Sequence, residues 1–215
     1  MSIDIKSKVS KMWDKKFSIA SEVSSDENGY MYGTKPNEFL KEQLESYPSK
    51  QKILFLGEGE GRNACYAASL HHEVTALDAS EVGLTKAQLL AKKMGVTIET
   101  LLVDLEEYTF PKNRYDIIMT SFMHLMEPLR SEAFKGALTA LKSSGVLIAE
   151  FFTQKQISRN SGGPKMLELL YTKEAMQDIF SDENIIMIDE CVVTLNEGSH
   201  HCGEADVFRI IIQKK

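Results

Sequence analysis

The stretch KILFLGEGEGRNACYAA, residues 52–68, constrains the fold more than any other part of this 215-residue chain. A short apolar run ends at Gly57, and glycines recur at Gly59 and Gly61 before a helix-forming segment begins. A buried strand that runs into a glycine-rich turn and then a helix brings the backbone close to a ligand. The question is which ligand accepts the two carboxylates, Glu58 and Glu60, set between those glycines.

Downstream the periodicity alternates. EVTALD (73–78), VTIETLLVD (96–104), RYDIIMTSF (114–122) and GVLIAEFF (145–152) read as strands. RNACYAASLH (62–71), SEVGLTKAQLLAKKMG (80–95), LRSEAFKGALTALKSSG (129–145, stopped by Gly145) and TKEAMQDIFS (172–181) read as helices. Residues 184–198 and 204–215 are two long β segments joined by a polar loop with Gly198 and Gly203. Alternating strands and helices predict an α/β fold, a three-layer doubly wound Rossmann-like sandwich. Its seven-stranded, mostly parallel sheet ends in an antiparallel C-terminal edge strand, with ligand at the strands' carboxyl ends.

Ahead of this core, residues 1–50 form a helical cap. Ile5, Val9, Met12 and Trp13 share a helix face, the loop 26–37 carries Asn28-Gly29, Gly33 and Pro36, and a short helix is capped by Asn37. The expected organisation is one domain over 1–215. It comprises the cap, a ligand-binding core at 51–152, and a segment at 153–215 with a lid-like loop, a helix and the β pair.

Composition narrows the partners. The chain has 25 basic and 31 acidic side chains, a net charge of −6, which disfavours a nucleic-acid partner. No apolar run is long enough to span a bilayer, and the polar N-terminal residues do not read as a signal peptide. Three scattered cysteines, Cys65, Cys191 and Cys202, fit reduced thiols in the cytoplasm.

The glycine turn is tested against three ligands. A phosphate-binding Walker loop needs Lys-Ser/Thr after its last glycine, and Arg62-Asn63 stands there. A dinucleotide fingerprint needs G-x-G-x-x-G, and the spacing here is G-x-G-x-G. Two like charges near 4 Å repel by about 4 kcal/mol at an effective dielectric of about 20, so Glu58 and Glu60 facing the ligand would oppose a pyrophosphate. A ligand with an ammonium and a sulfonium, S-adenosylmethionine, suits them better; the plain alternative is that both glutamates point to solvent. Asp78, 21 residues past Gly57, ends the second strand where an acid accepts both ribose hydroxyls, and Asp104 ends the third, where it accepts from the adenine amino group. Both residues also have a plain reading as helix caps.

These segments together, with YMYGTKPNEFL (30–40), LGEGEGRNA (56–64), VTALDASEVGLTKAQLLA (74–91), DLEEY (104–108), YDIIMTSFMHL (115–125), SGGPKML (161–167) and NEGSHHCGEADVFR (196–209), resemble a class I S-adenosylmethionine-dependent methyltransferase. Within that superfamily the chain is similar to the small-molecule branch near tellurite-resistance and thiopurine methyltransferases. The resemblance implies that Tyr32 and Gly33 close over the cofactor. It implies that Gly57, Glu58 and Gly59 line its methionine side with Arg62 and Asn63 behind, and that Asp78 and Ala79 hold the ribose. Asp104 and Leu105 bracket the adenine, and Ser121 faces the sulfonium. Glu58 departs from the family pattern, where many relatives carry a cysteine or another small residue.

Candidate catalytic groups are His124, after the fourth strand, and Glu197 with His201, in the E-G-x-x-H-x-G pattern that the resemblance favours. Each has an alternative as an ordinary polar group, His124 at a helix start and the other two in a solvated loop. The adjacent histidines His200 and His201 with Cys202 do not make a metal site, because neighbouring rings rarely face one ion. Arg159 and Lys165 in the loop 153–171 are placed to attract an anionic substrate. The expected acceptor is a small molecule, with a protein side chain as a further possibility. Nucleic-acid methyltransferases are disfavoured by the missing Asn/Asp-Pro-Pro-aromatic and Pro-Cys motifs. The competing classes are a non-catalytic S-adenosylmethionine-binding module and an NAD-dependent oxidoreductase. The residue pattern names neither the acceptor atom nor the oligomeric state.

Overall fold

The computed structural model describes residues 7–23 and 29–215. Ile5 and residues 26–28 of the expected loop lie outside them. The elements are α1 (Lys8–Val23), α2 (Glu38–Ser46), β1 (Lys52–Leu56), α3 (Arg62–Ser69), β2 (Glu73–Asp78), α4 (Glu81–Met94), β3 (Glu99–Leu102) and β4 (Tyr115–Ser121). They continue with α5 (Leu129–Ala140), β5 (Leu141–Phe152), two short 3-10 turns, α6 (Lys173–Ile179), β6 (Asn184–Glu197) and β7 (His201–Gln213).

One seven-stranded sheet runs in the order β3-β2-β1-β4-β5-β7-β6. The first five strands are parallel, and β7 lies antiparallel to both β5 and β6. The sheet is therefore the mostly parallel Rossmann-like sheet expected, with an antiparallel pair at one edge. Strand period two sorts the core into layers. Ile53 and Phe55 of β1 pack with α2, α3 and α4 through Leu40, Ala64 and Leu84, while Leu54 and Leu56 pack with Phe134 of α5 and Met176 of α6. Each such fully buried side chain contributes about 1.5–3 kcal/mol. The strand order reverses between β1 and β4, which is where an open α/β sheet leaves a ligand crevice.

Local signals set the helix ends. Ser80 caps α4 by accepting from the Gly83 amide at 3.0 Å, and Gly95 closes it in the left-handed region at φ 70°. Asn37 caps α2 through the Leu40 amide.

Two boundaries differ from the sequence reading. The helix expected to reach Gly145 stops at Ala140, because Leu141 is fully buried and pairs with Tyr115. The Thr139 and Ala140 carbonyls accept instead from the Asn113 and Arg114 amides. The expected loop 196–204 is mostly strand. Glu197 ends β6, His201 begins β7, and Gly203 lies in β7 opposite Leu195. The β-turn between the strands is residues 198–200, so Glu197 and His201 are buried side chains and not solvated loop residues.

Candidate active site

The glycine turn takes a left-handed path, with φ of 62° at Gly57, 63° at Gly59 and 89° at Gly61. A Cβ on Gly61 would lie 2.6 Å from the Ala87 Cβ, so this glycine lets α3 start against α4. A Cβ on Gly57 would meet the flexible Met123 side chain at 3.2 Å, and one on Gly59 would meet the Phe17 ring at 3.0 Å. The backbone between β1 and α3 is thus closely packed under Met123 and under the Phe17 ring of the cap.

Both glutamates turn inward, contrary to the expectation that they face the ligand. Glu58 Oε1 accepts from the Asn63 and Ala64 amides at 2.8 and 2.7 Å, capping α3 from within. Burial pushes its carboxyl up to about 7 against the pull of those amides and of Arg62. Glu60 Oε1 pairs with Lys86 Nζ at 2.6 Å, and its Oε2 accepts from the Met31 amide at 2.8 Å. Neither carboxylate points to solvent: Glu58 is engaged by the α3 amides and the Asn63 side chain, and Glu60 by Lys86 and the Met31 amide. The case against a pyrophosphate survives for another reason. A dinucleotide's pyrophosphate needs the amides at the helix N-terminus, and Glu58 already takes two of them.

Asp78 ends β2, as expected. Its Oδ2 accepts from the Gly59 amide at 2.8 Å and its Oδ1 from the Ser80 amide at 2.8 Å. Burial raises its carboxyl to about 6. A carboxylate has about four acceptor sites, so beside these donors and the Ala79 amide it keeps capacity for a hydroxyl. Ala79 follows it, half-buried. Asp104 lies two residues beyond the end of β3 and opens a turn, where its Oδ1 accepts from the Glu106 amide at 3.1 Å. Leu105, also half-buried, packs against the α5 side of the core. Ser121 ends β4, and its Oγ accepts from Asn63 Nδ2 at 3.2 Å.

A buried polar network links this crevice to the β6–β7 turn. Arg62 Nη2 lies 2.9 Å from Glu197 Oε2, and His201 Nδ1 lies 3.2 Å from the same oxygen. Asn37 Nδ2 donates to Glu197 Oε1 at 3.0 Å and to Glu150 Oε1 at 2.6 Å, and Glu150 Oε2 meets Arg209 Nε at 2.6 Å. Burial alone would raise the Glu197 carboxyl, but Arg62 and His201 outweigh it and hold the group at about 2. Burial lowers His201 while Glu197 pulls the other way. An ionised Glu197 accepts the proton on Nδ1, so the neutral ring keeps its lone pair on Nε2.

Aromatic rings frame His201. Tyr32 lies 4.4 Å away, Phe122 4.7 Å and Phe152 5.3 Å between centroids. Phe122 holds a left-handed φ of 52° directly after β4, an uncommon conformation for a bulky residue. Gly33 fits against the turn, where a Cβ on Gly198 would sit 2.6 Å from the Gly33 nitrogen. Tyr32 and Gly33 therefore close on the hairpin and bring the N-terminal loop to the crevice.

His124 stacks on Phe152 at 5.8 Å, with Nδ1 buried and unpartnered among the described residues. Burial pushes its ring down to about 3, so it stays neutral near pH 7. Arg159 is bound to Asp206 at 2.7 Å and Glu204 at 2.9 Å, and Lys165 donates to the Ile157 and Arg159 carbonyls. The two cations expected to attract an anion are thus engaged by the chain itself. The loop 153–171 lies on β7, with Ser161 Oγ donating to the Glu204 carbonyl.

The sequence reading missed several participants. Asn37 shows only its capping pattern, and Glu150 and Arg209 look like ordinary strand residues. Lys86, whose Nζ also donates to the Phe17 and Gly29 carbonyls, looks like a surface helix residue.

The residues fit S-adenosylmethionine. Asp78 offers acceptors to ribose hydroxyls. Arg62 Nη1 is a buried donor without a partner among the described residues, suited to an amino-acid carboxylate. No group of three or more His, Cys, Asp or Glu with metal-holding geometry occurs among the described residues.

Comparison with known proteins bears on the domain and the fold. Residues 53–145 match the family model described as a methyltransferase domain. An uncharacterised methyltransferase of Bacillus subtilis, YbaJ, is 29% identical over 101 residues, which cover 46% of this chain and 40% of that protein. The chain thus spans about two fifths of the length of this curated relative. Among solved structures, TehB from Haemophilus influenzae aligns over 94% of this chain and 67% of its own at TM-score 0.68 and 18% identity. A structure from work on the conversion of a disulfide bond into a thioacetal group during echinomycin biosynthesis aligns over 96% and 93% at TM-score 0.75 and 16% identity. At these identities the structural matches establish the fold.

Proposed function

We propose that this chain is a class I S-adenosylmethionine-dependent methyltransferase that transfers methyl to a small-molecule acceptor. The observation that carries the reading is the convergence of the Asp78 carboxylate, the glycine turn and the Glu197–His201 pair at the carboxyl ends of β1, β2 and β4 and the β6–β7 turn. When bound, S-adenosylmethionine supplies a methyl group on a positively charged sulfur. The chain supplies position and a dry environment, which dominate such a displacement.

Asp78 takes the ribose, with Ala79 beside it. Gly57, Gly59 and the backbone of Glu58 line the methionine side, and Asn63 and Ser121 fix its floor. Asp104 and Leu105 bracket the adenine, and Tyr32 and Gly33 close the edge. His201 is the general base where the acceptor must lose a proton, with Glu197 orienting it. His124 acts as a neutral hydrogen-bonding group.

The aromatic wall around His201 and the internal pairing of Arg159 support a small acceptor over a polyanion, and the net charge of −6 supports the same exclusion of nucleic acid. No helix among the described residues is long and apolar enough to cross a membrane. The free cysteines support a cytoplasmic location, and the single sheet from β1 to β7 supports one domain. An acceptor screen tests the reading. The purified protein is incubated with S-adenosylmethionine and small thiols, phenols, amines and chalcogen oxyanions, and S-adenosylhomocysteine is quantified. Turnover on a small acceptor that falls at least tenfold in His201→Ala is expected. Turnover confined to protein or nucleic acid would overturn it.

A further inference from the structure

We infer that Arg62 is a positioning residue that couples occupancy of the cofactor's amino-acid end to the basicity of His201. The inference rests on the cofactor reading above and goes beyond it. Arg62 is the first residue of α3, next to the glycine turn, and its side chain is only 8% exposed. One arm of its fork, Nη2, holds Glu197 Oε2 at 2.9 Å. The other arm, Nη1, is buried without a hydrogen-bond partner among the described residues. A buried guanidinium donor is rarely left unmatched, because the missing bond costs about as much as desolvating the group. The geometry of a fork suits two carboxylates at once. Glu197 is one, and the free carboxylate of an α-amino acid is the other.

Glu197 Oε2 is also the partner of His201 Nδ1 at 3.2 Å. The oxygen is therefore shared by a permanent cation and the base. With Nη1 unmatched, the whole charge of Arg62 acts on Glu197 and His201, and it disfavours a proton on the imidazole. A carboxylate arriving at Nη1 neutralises part of that charge and strengthens the hold of Glu197 on a protonated ring. The base gains proton affinity only when the amino-acid end is in place. The other titratable groups facing His201 are Tyr32 from the N-terminal loop, His200 from the turn and His124 after β4. None of them bridges to the glycine turn through Glu197. Asn37 keeps the geometry fixed, since its Nδ2 holds the second Glu197 oxygen and its backbone amide donates to Asn63 Oδ1 at 2.9 Å.

The test is an NMR titration of the His201 ring in the full-length protein, alone and saturated with S-adenosylhomocysteine or 5′-methylthioadenosine. The two nucleosides share the ribose and adenine, and only the first carries the amino-acid carboxylate. The His201 midpoint is expected to rise by about one pH unit with S-adenosylhomocysteine. It stays within a few tenths of a unit of the free protein with 5′-methylthioadenosine. In Arg62→Met the rise disappears and affinity for S-adenosylhomocysteine falls while that for 5′-methylthioadenosine holds. If that variant does not fold, the comparison of the two nucleosides on the native protein decides alone. Equal shifts with both, or binding of S-adenosylhomocysteine without a shift, would overturn the coupling and leave the cofactor reading standing. Failure of the native protein to bind either nucleoside would overturn both.

Discussion

The Glu197 carboxylate lies 2.9 Å from the Arg62 guanidinium, tying the last residue of β6 to the first of α3 in a buried ion pair. Removing one partner of such a pair leaves an uncompensated charge, which costs about 3–5 kcal/mol. Glu197→Ala is therefore expected to lower unfolding free energy by about 3 kcal/mol in urea titration. A loss below about 0.5 kcal/mol would show that the pair contributes little.

The same pair sets a pH dependence. The Glu197 carboxyl is held at about 2 in the fold, below its ordinary 4.5. A lowered folded value means stability present above pH 4.5 and lost as pH falls toward 2. Chemical denaturation from mildly acidic pH down to the folded value should show a shallower decline in Glu197→Gln than in the native chain.

Glu58 works in the opposite direction. Its carboxyl is raised from 4.5 to about 7 by burial. The folded state keeps that proton where the unfolded chain has lost it, so this contribution is full below pH 4.5 and fades as pH rises through 7. Glu58→Gln keeps an acceptor for the Asn63 and Ala64 amides. It should raise stability at about pH 8 relative to about pH 5 by on the order of 1–3 kcal/mol against the native chain, read from urea midpoints at both values.

Two glycines separate close approach from backbone conformation. Gly61 has φ 89°, and a Cβ added there would lie 2.6 Å from the Ala87 Cβ, whereas Gly95 has φ 70° and open space around it. Gly61→Ala should cost about 3 kcal/mol, combining overpacking with strain, and Gly95→Ala about 1 kcal/mol. Equal losses in thermal or urea unfolding would contradict the packing role of Gly61.

Lys86 fastens the cap. Its Nζ reaches Glu60 at 2.6 Å and the Phe17 and Gly29 carbonyls at 2.7 and 2.8 Å. Lys86→Met should speed amide hydrogen exchange across α1 by about tenfold or more and leave β1 and β4 unchanged. Unaltered exchange in α1 would show that the helix is held without Lys86, by Phe17 and Trp13 packing and by Asp14, which accepts from Ser80 Oγ and the Val82 amide.

Much of the core is legible in the sequence because its signals are local. The KILFL run, the Ser80 and Gly95 caps and the Asp78 position follow from period, capping and spacing, and the structure keeps them. The orientation of Glu58 and Glu60 is not legible, because it is decided by the α3 amides and by Lys86 on α4. The end of α5 is misplaced because SSG looks like a helix stop, whereas tertiary pairing of Leu141 with Tyr115 ends the helix earlier. Glu197 and His201 stand out as a pair through the E-G-x-x-H spacing, yet their burial depends on a three-residue turn that Gly198 packs against Gly33. Arg159 looks free because its partners, Glu204 and Asp206, sit on a strand far along the chain.

The proposed hold of the Asp78 carboxylate and the glycine turn on S-adenosylmethionine is tested most directly by calorimetric titration. The native chain and Asp78→Ala are each titrated with S-adenosylmethionine and, separately, with NAD. Micromolar binding of S-adenosylmethionine by the native chain is predicted, weakened at least tenfold in the variant, with no measurable binding of NAD. Absence of S-adenosylmethionine binding, or tight binding of NAD in its place, would contradict that assignment.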